Sequence, residues 1–165
     1  MPQVAIVMGS ASDFPVLEPA CKLLERFGVS HMARVLSAHR TPRETAEFAA
    51  KLESMGVQVV IAAAGKAAHL AGVMAAHTLL PVIGLPVKSS TMDGMDSLLS
   101  TVQMPAGIPV ATVAINGGEN AALLAIQMLS LANPRLKSAL SDYRAEMTRK
   151  VLEQDEQLQL NIPGK

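Results

Sequence analysis

The chain is poor in cysteine, in aromatic side chains and in charge. Its single cysteine, Cys21, excludes an internal disulfide and any cysteine-cluster zinc or iron–sulfur site, and it fits a reducing compartment. There is no tryptophan, and aromatic residues make up 2% of the chain. Charged residues make up 17%, against roughly 25% in typical soluble domains. A domain with so few charges does not easily cover its surface, which points to apolar area buried between subunits. The 14 basic and 14 acidic residues cancel, and the isoelectric point is near 6.9. That balance argues against nucleic acid or an anionic membrane as a partner held by bulk electrostatics. No apolar run reaches the roughly 18 residues of a spanning helix. No basic segment precedes the first apolar run, so no signal peptide is expected. What is present is a half-apolar chain of 165 residues, enough to bury one core. The expectation is a cytoplasmic, single-domain protein.

Short apolar runs alternate with amphipathic segments. Strands are expected at 4–8, 31–36, 57–64, 81–85 and 110–115. Helices are expected at 14–27, 67–78, 96–102, 120–132 and 135–152, with another that opens at Thr41 and stops at Gly56. Asp13 suits an N-cap and Gly28 the residue past a C-terminus. Thr41-Pro42-Arg43-Glu44 reads as a capping box with proline at N1. Pro19 suits no helix interior and predicts a kink or a late start. Residues 153–165 read as a polar tail that frays. The alternation predicts an α/β domain over 1–152, with a parallel sheet of five strands covered by helices on both faces.

In such a sheet, ligands bind beyond the carboxyl ends of the strands, where strand order switches direction. Three loops fall at that edge. The first, Gly9-Ser10-Ala11-Ser12-Asp13, offers close backbone approach, two hydroxyls and the N-terminus of a helix, all suited to an anion. It is neither GxGxxG nor a Walker A motif, so neither a dinucleotide nor ATP is implied. The plainer reading is a turn whose Asp13 caps its own helix. The second loop, Ser37-Ala38-His39-Arg40-Thr41-Pro42, sets a guanidinium that can fork onto phosphate beside an imidazole that titrates near neutrality. The third, Gly65-Lys66-Ala67-Ala68-His69-Leu70, places His69 on the first turn of an alanine-rich helix, where it can meet a substrate carboxylate or cap that helix. His31 and His77 lack polar company and read as structural. The four histidines are dispersed, without HExxH, and no metal site is expected.

These three loops together resemble the signature loops of the class I N5-carboxyaminoimidazole ribonucleotide mutases of purine biosynthesis. The segments Pro81-Val-Ile-Gly-Leu-Pro86, Met95-Asp-Ser-Leu-Leu-Ser-Thr-Val-Gln-Met-Pro105, Gly107-Ile-Pro-Val-Ala-Thr-Val-Ala-Ile115 and Asn120-Ala-Ala-Leu-Leu-Ala125 continue the resemblance almost to the terminal helix. The resemblance implies a three-layer αβα, flavodoxin-like domain in a homo-octamer, its C-terminal helix reaching a neighbouring subunit. It implies transfer of a carboxyl group from the exocyclic nitrogen of aminoimidazole ribonucleotide to ring carbon C4, without ATP, metal or organic cofactor. It also implies a functional link to an ATP-dependent synthetase that makes the N-carboxylated substrate. By motif position, Gly9, Ser10, Ser12, Ser37, Ala38 and Arg40 hold the 5′-phosphate and nearby ribose. Asp13 accepts from ribose hydroxyls. His39 is the acid and base, and Gly65, Leu70 and His69 frame the carboxylate and aminoimidazole. Lys66 stands where the family usually has glycine, and Ala71 where it usually has proline; Lys66 can pair with the substrate carboxylate or lie at the rim facing solvent. Asn116-Gly117 departs from the usual Ile-Gly continuation.

Three other readings compete. A related class II enzyme carboxylates aminoimidazole ribonucleotide with free CO2, but its third loop differs from Ala67-Ala-His-Leu70. A related carboxylase of nicotinate dinucleotides is expected to carry an extra N-terminal region, whereas this chain opens at strand one. A non-catalytic nucleotide-binding module needs the phosphate loop but not His39.

Overall fold

Side chains along Val4–Met8 alternate between two separate cores. Val4, Ile6 and Met8 join one apolar cluster and Ala5 and Val7 the other, as the two-residue period of a strand requires. This strand, β1, is buried along its whole length. In the computed structural model, which describes residues 1–162, β1 is followed by α1 (Phe14–Arg26), β2 (His31–Val35), α2 (Pro42–Lys51) and β3 (Val59–Gly65). Then come α3 (Leu70–Ala76), β4 (Val82–Val87), α4 (Met95–Val102), β5 (Ala111–Thr112), α5 (Gly118–Ser130) and α6 (Pro134–Asn161).

The five strands form one sheet in the order β2-β1-β3-β4-β5, and every pairing is parallel. Parallel neighbours need crossovers, and the helices that supply them cover both faces. Leu17, Ala20, Leu23 and Leu24 of α1 and Ala121, Ala122, Ala125 and Ile126 of α5 bury one face. Ala49 of α2 and Leu70, Ala71 and Met74 of α3 bury the other. The result is the flavodoxin-like αβα arrangement expected from the sequence. The chain runs outward in opposite directions from β1 and β3, so the switch in strand order lies between their carboxyl ends.

Several local expectations are corrected. Helix α1 starts at Phe14 and runs through Pro19. Pro19 lies on the exposed side of the helix, while Leu17, Ala20 and Leu24 bury the opposite side; packing of that face outweighs the one lost amide. Asp13 occupies the N-cap position but its side chain makes no capping bond. Thr41 likewise makes no side-chain cap; its hydroxyl turns back to the amide and carbonyl of Ser37. The capping box is therefore absent. Helix α3 begins at Leu70 rather than at 67, because Lys66 is left-handed at φ 56° and residues 66–69 are used in a turn. Strand β5 has two residues rather than six. Helix α6 does not end at 152 but continues to Asn161. Ion pairs one turn apart, Lys150 with Glu146 at 2.8 Å and Arg149 with Glu153 at 3.6 Å, support the stretch around that point. Of the tail expected to fray, residues 163–165 lie outside the described residues. Among the described residues no helix is long and apolar enough to cross a membrane.

Candidate active site

The loops that follow β1, β2, β3 and β4 enclose a cleft of about 600 Å³ at the carboxyl edge of the sheet. It straddles the switch between β1 and β3, where an open parallel sheet splays its loops apart. Gly9, Ser10, Ser12, Asp13, Ser37, Ala38, His39, Arg40, Gly65, Lys66 and Leu70 all line it. Every residue singled out from the sequence is thus at the cleft except His69, which reaches it through His39.

The first two loops are tied together. Arg40 donates from its guanidinium to the Gly9 carbonyl at 2.7 Å and to Ser37 Oγ at 3.4 Å. Ser10 Oγ accepts the Ser12 amide at 3.3 Å and lies 2.8 Å from Ser12 Oγ. A one-turn 3₁₀ segment, Ala11–Asp13, then leads into α1, so the Ser10 hydroxyl, not the Asp13 carboxylate, caps this entry. Asp13 is left facing the cleft. Burial pushes its carboxyl above the usual range, opposed in turn by the Ser10 backbone, the Ser12 hydroxyl and the Arg40 charge. Hydroxyls and an oriented guanidinium at a helix entry form an anion site suited to phosphate.

At the same cleft two imidazoles meet. His39 Nε2 lies 2.9 Å from His69 Nδ1, with the rings edge-on, 5.0 Å between centroids and 79° between planes. One nitrogen donates and the other accepts, so a single proton occupies this contact. His69 sits at the N-cap position of α3 but makes no side-chain cap. Its imidazole is directed at His39 instead, which removes the helix-capping reading. Such a pair can take a proton from, and return it to, a ligand held against the anion site.

Ala67 of the third loop lines the cleft as well, and Val87, Lys88 and Ser89 at the end of β4, with Ala64, do so without having been anticipated from the sequence. The rule that selected the first three loops applies equally to the fourth strand, and Lys88-Ser89 is where its apolar run turns polar. Lys88 pairs with Asp93 at 3.0 Å, and its amide donates to Asn116 Oδ1 at 2.8 Å. The Ser89 hydroxyl lies 2.9 Å from Asp96 Oδ2. His31 and His77 stand away from the cleft. Among the described residues no group of three or more histidine, cysteine, aspartate or glutamate side chains is placed to hold a metal ion.

The architecture and the loops both have counterparts in known proteins. A family described as AIR carboxylase matches residues 3–150. The N5-carboxyaminoimidazole ribonucleotide mutase of Pyrococcus abyssi is 56% identical over 149 residues, covering 90% of this chain and 86% of its own length. The protein of the same name from Thermotoga maritima is 50% identical over 159 residues, covering 96% and 93%. The crystal structure of Treponema denticola PurE superposes with a TM-score of 0.87 at 29% identity, over 96% of this chain and 99% of that one. With the family matched over residues 3–150 and relatives about half identical over most of the chain, this chain belongs to the AIR carboxylase family.

Proposed function

We propose that this chain is an ATP-independent mutase that converts N5-carboxyaminoimidazole ribonucleotide to 4-carboxy-5-aminoimidazole ribonucleotide in purine biosynthesis. The observation that carries this reading is the His39–His69 contact of 2.9 Å, at one cleft with the Ser10, Ser12 and Arg40 anion site. Relatives of about half identity named for that reaction support it.

The reaction needs one proton moved twice. The substrate carboxyl is a carbamate, which loses CO2 once its nitrogen is protonated. His39, as imidazolium, supplies that proton as the nitrogen–carbon bond breaks. The CO2 stays beside the electron-rich ring, whose C4 attacks it and forms the new carbon–carbon bond. Neutral His39 then removes the C4 proton and the ring regains aromaticity, with no net proton change. His69 holds the His39 ring in place. Ser10, Ser12, Ser37 and Arg40 hold the phosphate and nearby ribose, with Gly9 and Ala38 shaping the backbone around it. Asp13 accepts from the ribose hydroxyls, and Gly65 and Leu70 border the base. Confinement of CO2 is a proximity effect, and closing the cleft to water protects it. No metal or organic cofactor takes part in this scheme.

The same reading makes the chain a single catalytic domain working as a cytoplasmic homo-octamer, supplied by an ATP-dependent synthetase of the N-carboxylated nucleotide. The test is conversion of that nucleotide by the purified protein without ATP or bicarbonate, followed by ultraviolet absorbance. A parallel sample holds aminoimidazole ribonucleotide with bicarbonate. Conversion in the first sample alone, reduced at least 100-fold in His39→Asn with nucleotide binding retained, is the expected result. Efficient conversion of the second sample at modest bicarbonate identifies a CO2-dependent carboxylase instead. Binding without turnover in either identifies a nucleotide-binding module.

A further inference from the structure

The cationic side chains of the cleft are not equally engaged. Arg40, Lys66 and Lys88 line it, against the single carboxylate of Asp13. Lys88 is paired with Asp93, and Arg40, oriented by the Gly9 carbonyl and Ser37 Oγ, belongs to the phosphate site. Lys66 Nζ has neither an ion pair nor a hydrogen bond among the described residues, although its backbone carbonyl is anchored by Ser100 Oγ at 3.2 Å. Its backbone is left-handed at φ 56°, a conformation that side chains with a Cβ adopt at a cost and glycine adopts freely. Strain held at a cleft by an unpaired cation fits a residue kept for its side chain.

Position in the chain says which part of a ligand this cation meets. Lys66 and His69 belong to one turn, in which the amides of Ala68 and His69 donate to the carbonyls of Lys66 and Ala67, each at 2.9 Å. Lys66 therefore belongs to the turn that carries His69, whose imidazole meets His39, and it lines the same cleft. We propose that Lys66 is a specificity residue that pairs with the carboxylate of the nucleotide and so distinguishes carboxylated from decarboxylated aminoimidazole ribonucleotide. This rests on the mutase reading above. It deepens that reading by assigning the ligand's second anionic group to a residue that the phosphate site does not use.

The test is calorimetric titration of wild type, Lys66→Gly, Lys66→Met and Lys66→Arg with two ligands, 4-carboxy-5-aminoimidazole ribonucleotide and aminoimidazole ribonucleotide. Glycine accepts the left-handed backbone without strain, so the first variant keeps the loop's path. The expected result is about a tenfold loss of affinity for the carboxylated nucleotide in the glycine and methionine variants, the scale of one charge-assisted contact. Affinity for the decarboxylated nucleotide stays within about twofold, and arginine restores most of the difference. Equal losses for both ligands, or no loss for either, overturn the proposal and leave the mutase reading standing. Failure of wild type to bind either nucleotide overturns both.

Discussion

Asp13 shows how a single side chain is released for work at the cleft. A serine three residues earlier takes over the capping of the helix entry, so the carboxylate faces the cleft instead of capping α1. Burial then raises its pKa, and the sign of the consequence follows from linkage. The folded state binds a proton at Asp13 more readily than the unfolded chain does. Its stabilising contribution is therefore complete below the ordinary value of 3.8 and is lost as pH rises through the raised value. At neutral pH the ionised carboxylate is a small cost to the fold. Asp13→Asn should raise the melting temperature at pH 7 but not at pH 3.5, while weakening nucleotide binding about tenfold through loss of the ribose acceptor. Thermal melts at the two pH values, with a titration of the product nucleotide, check both halves. A lower melting temperature at pH 7 would refute the assignment. The identity of this residue and its loop were legible in the sequence. Its freedom from the cap was not, because N-cap preference describes Ser10 and Asp13 equally well.

At the scale of elements, small residues set how closely the layers approach. Helices α1 and α5 lie side by side on one face of the sheet, and a Cβ placed on Gly118 would fall on the Val16 carbonyl oxygen. A backbone carbonyl cannot swing away as a side-chain tip can. Gly118→Ala is expected to cost about 1–3 kcal/mol and to lower the melting temperature by roughly 2–4 °C per kcal/mol. Circular dichroism on heating is the measurement, and an unchanged midpoint would show that the two helices separate freely. Gly84 in β4 is held small for a different reason: a Cβ there would run into the side chains of Thr101 and Val110, and Thr101 is β-branched and buried, with no room to turn away. Element types were readable along the chain because period-two and period-3.6 patterns differ. Element ends were less so. β5 shrinks to two residues at the sheet's edge, and α3 starts late because its first turn became the strained Lys66 turn.

At the scale of the whole molecule, apolar surface remains that one chain cannot bury. Helix α6 packs near its start through Leu136, Leu140 and Tyr143, and Arg26 holds Glu146 at 2.7 Å while lying 5.2 Å over the Tyr143 ring. Beyond that point Met147, Val151 and Leu158 recur at helical spacing along α6 with their side chains exposed. Leu79 and Leu131 are 95% and 90% exposed. Such a stripe on a low-charge chain is what subunit contact would cover. Light scattering should give a species near 138 kDa, eight times the 17.3 kDa chain, and truncation after Lys150 should reduce it to smaller assemblies. A monomeric wild-type protein would refute the octamer and leave the stripe facing solvent.

The sequence by itself determined the alternation of strand and helix, the edge of the sheet where a ligand sits, and three loops whose residue types name an anion and a proton carrier. Those properties are local: periodicity, turn chemistry and short motifs are written in neighbouring residues. Only the tertiary structure decided which groups meet. The contact of His39 with His69 joins residues 30 positions apart, and the bond of Arg40 to the Gly9 carbonyl joins residues 31 apart. The entry of Lys88 and Ser89 into the cleft depends on β4 lying beside β3. Distances of this kind follow from strand order and layer packing, which many sequences with the same local pattern could arrange differently. The physical reason is that burial fixes the elements against one another, and the loops inherit their spacing from the sheet beneath them.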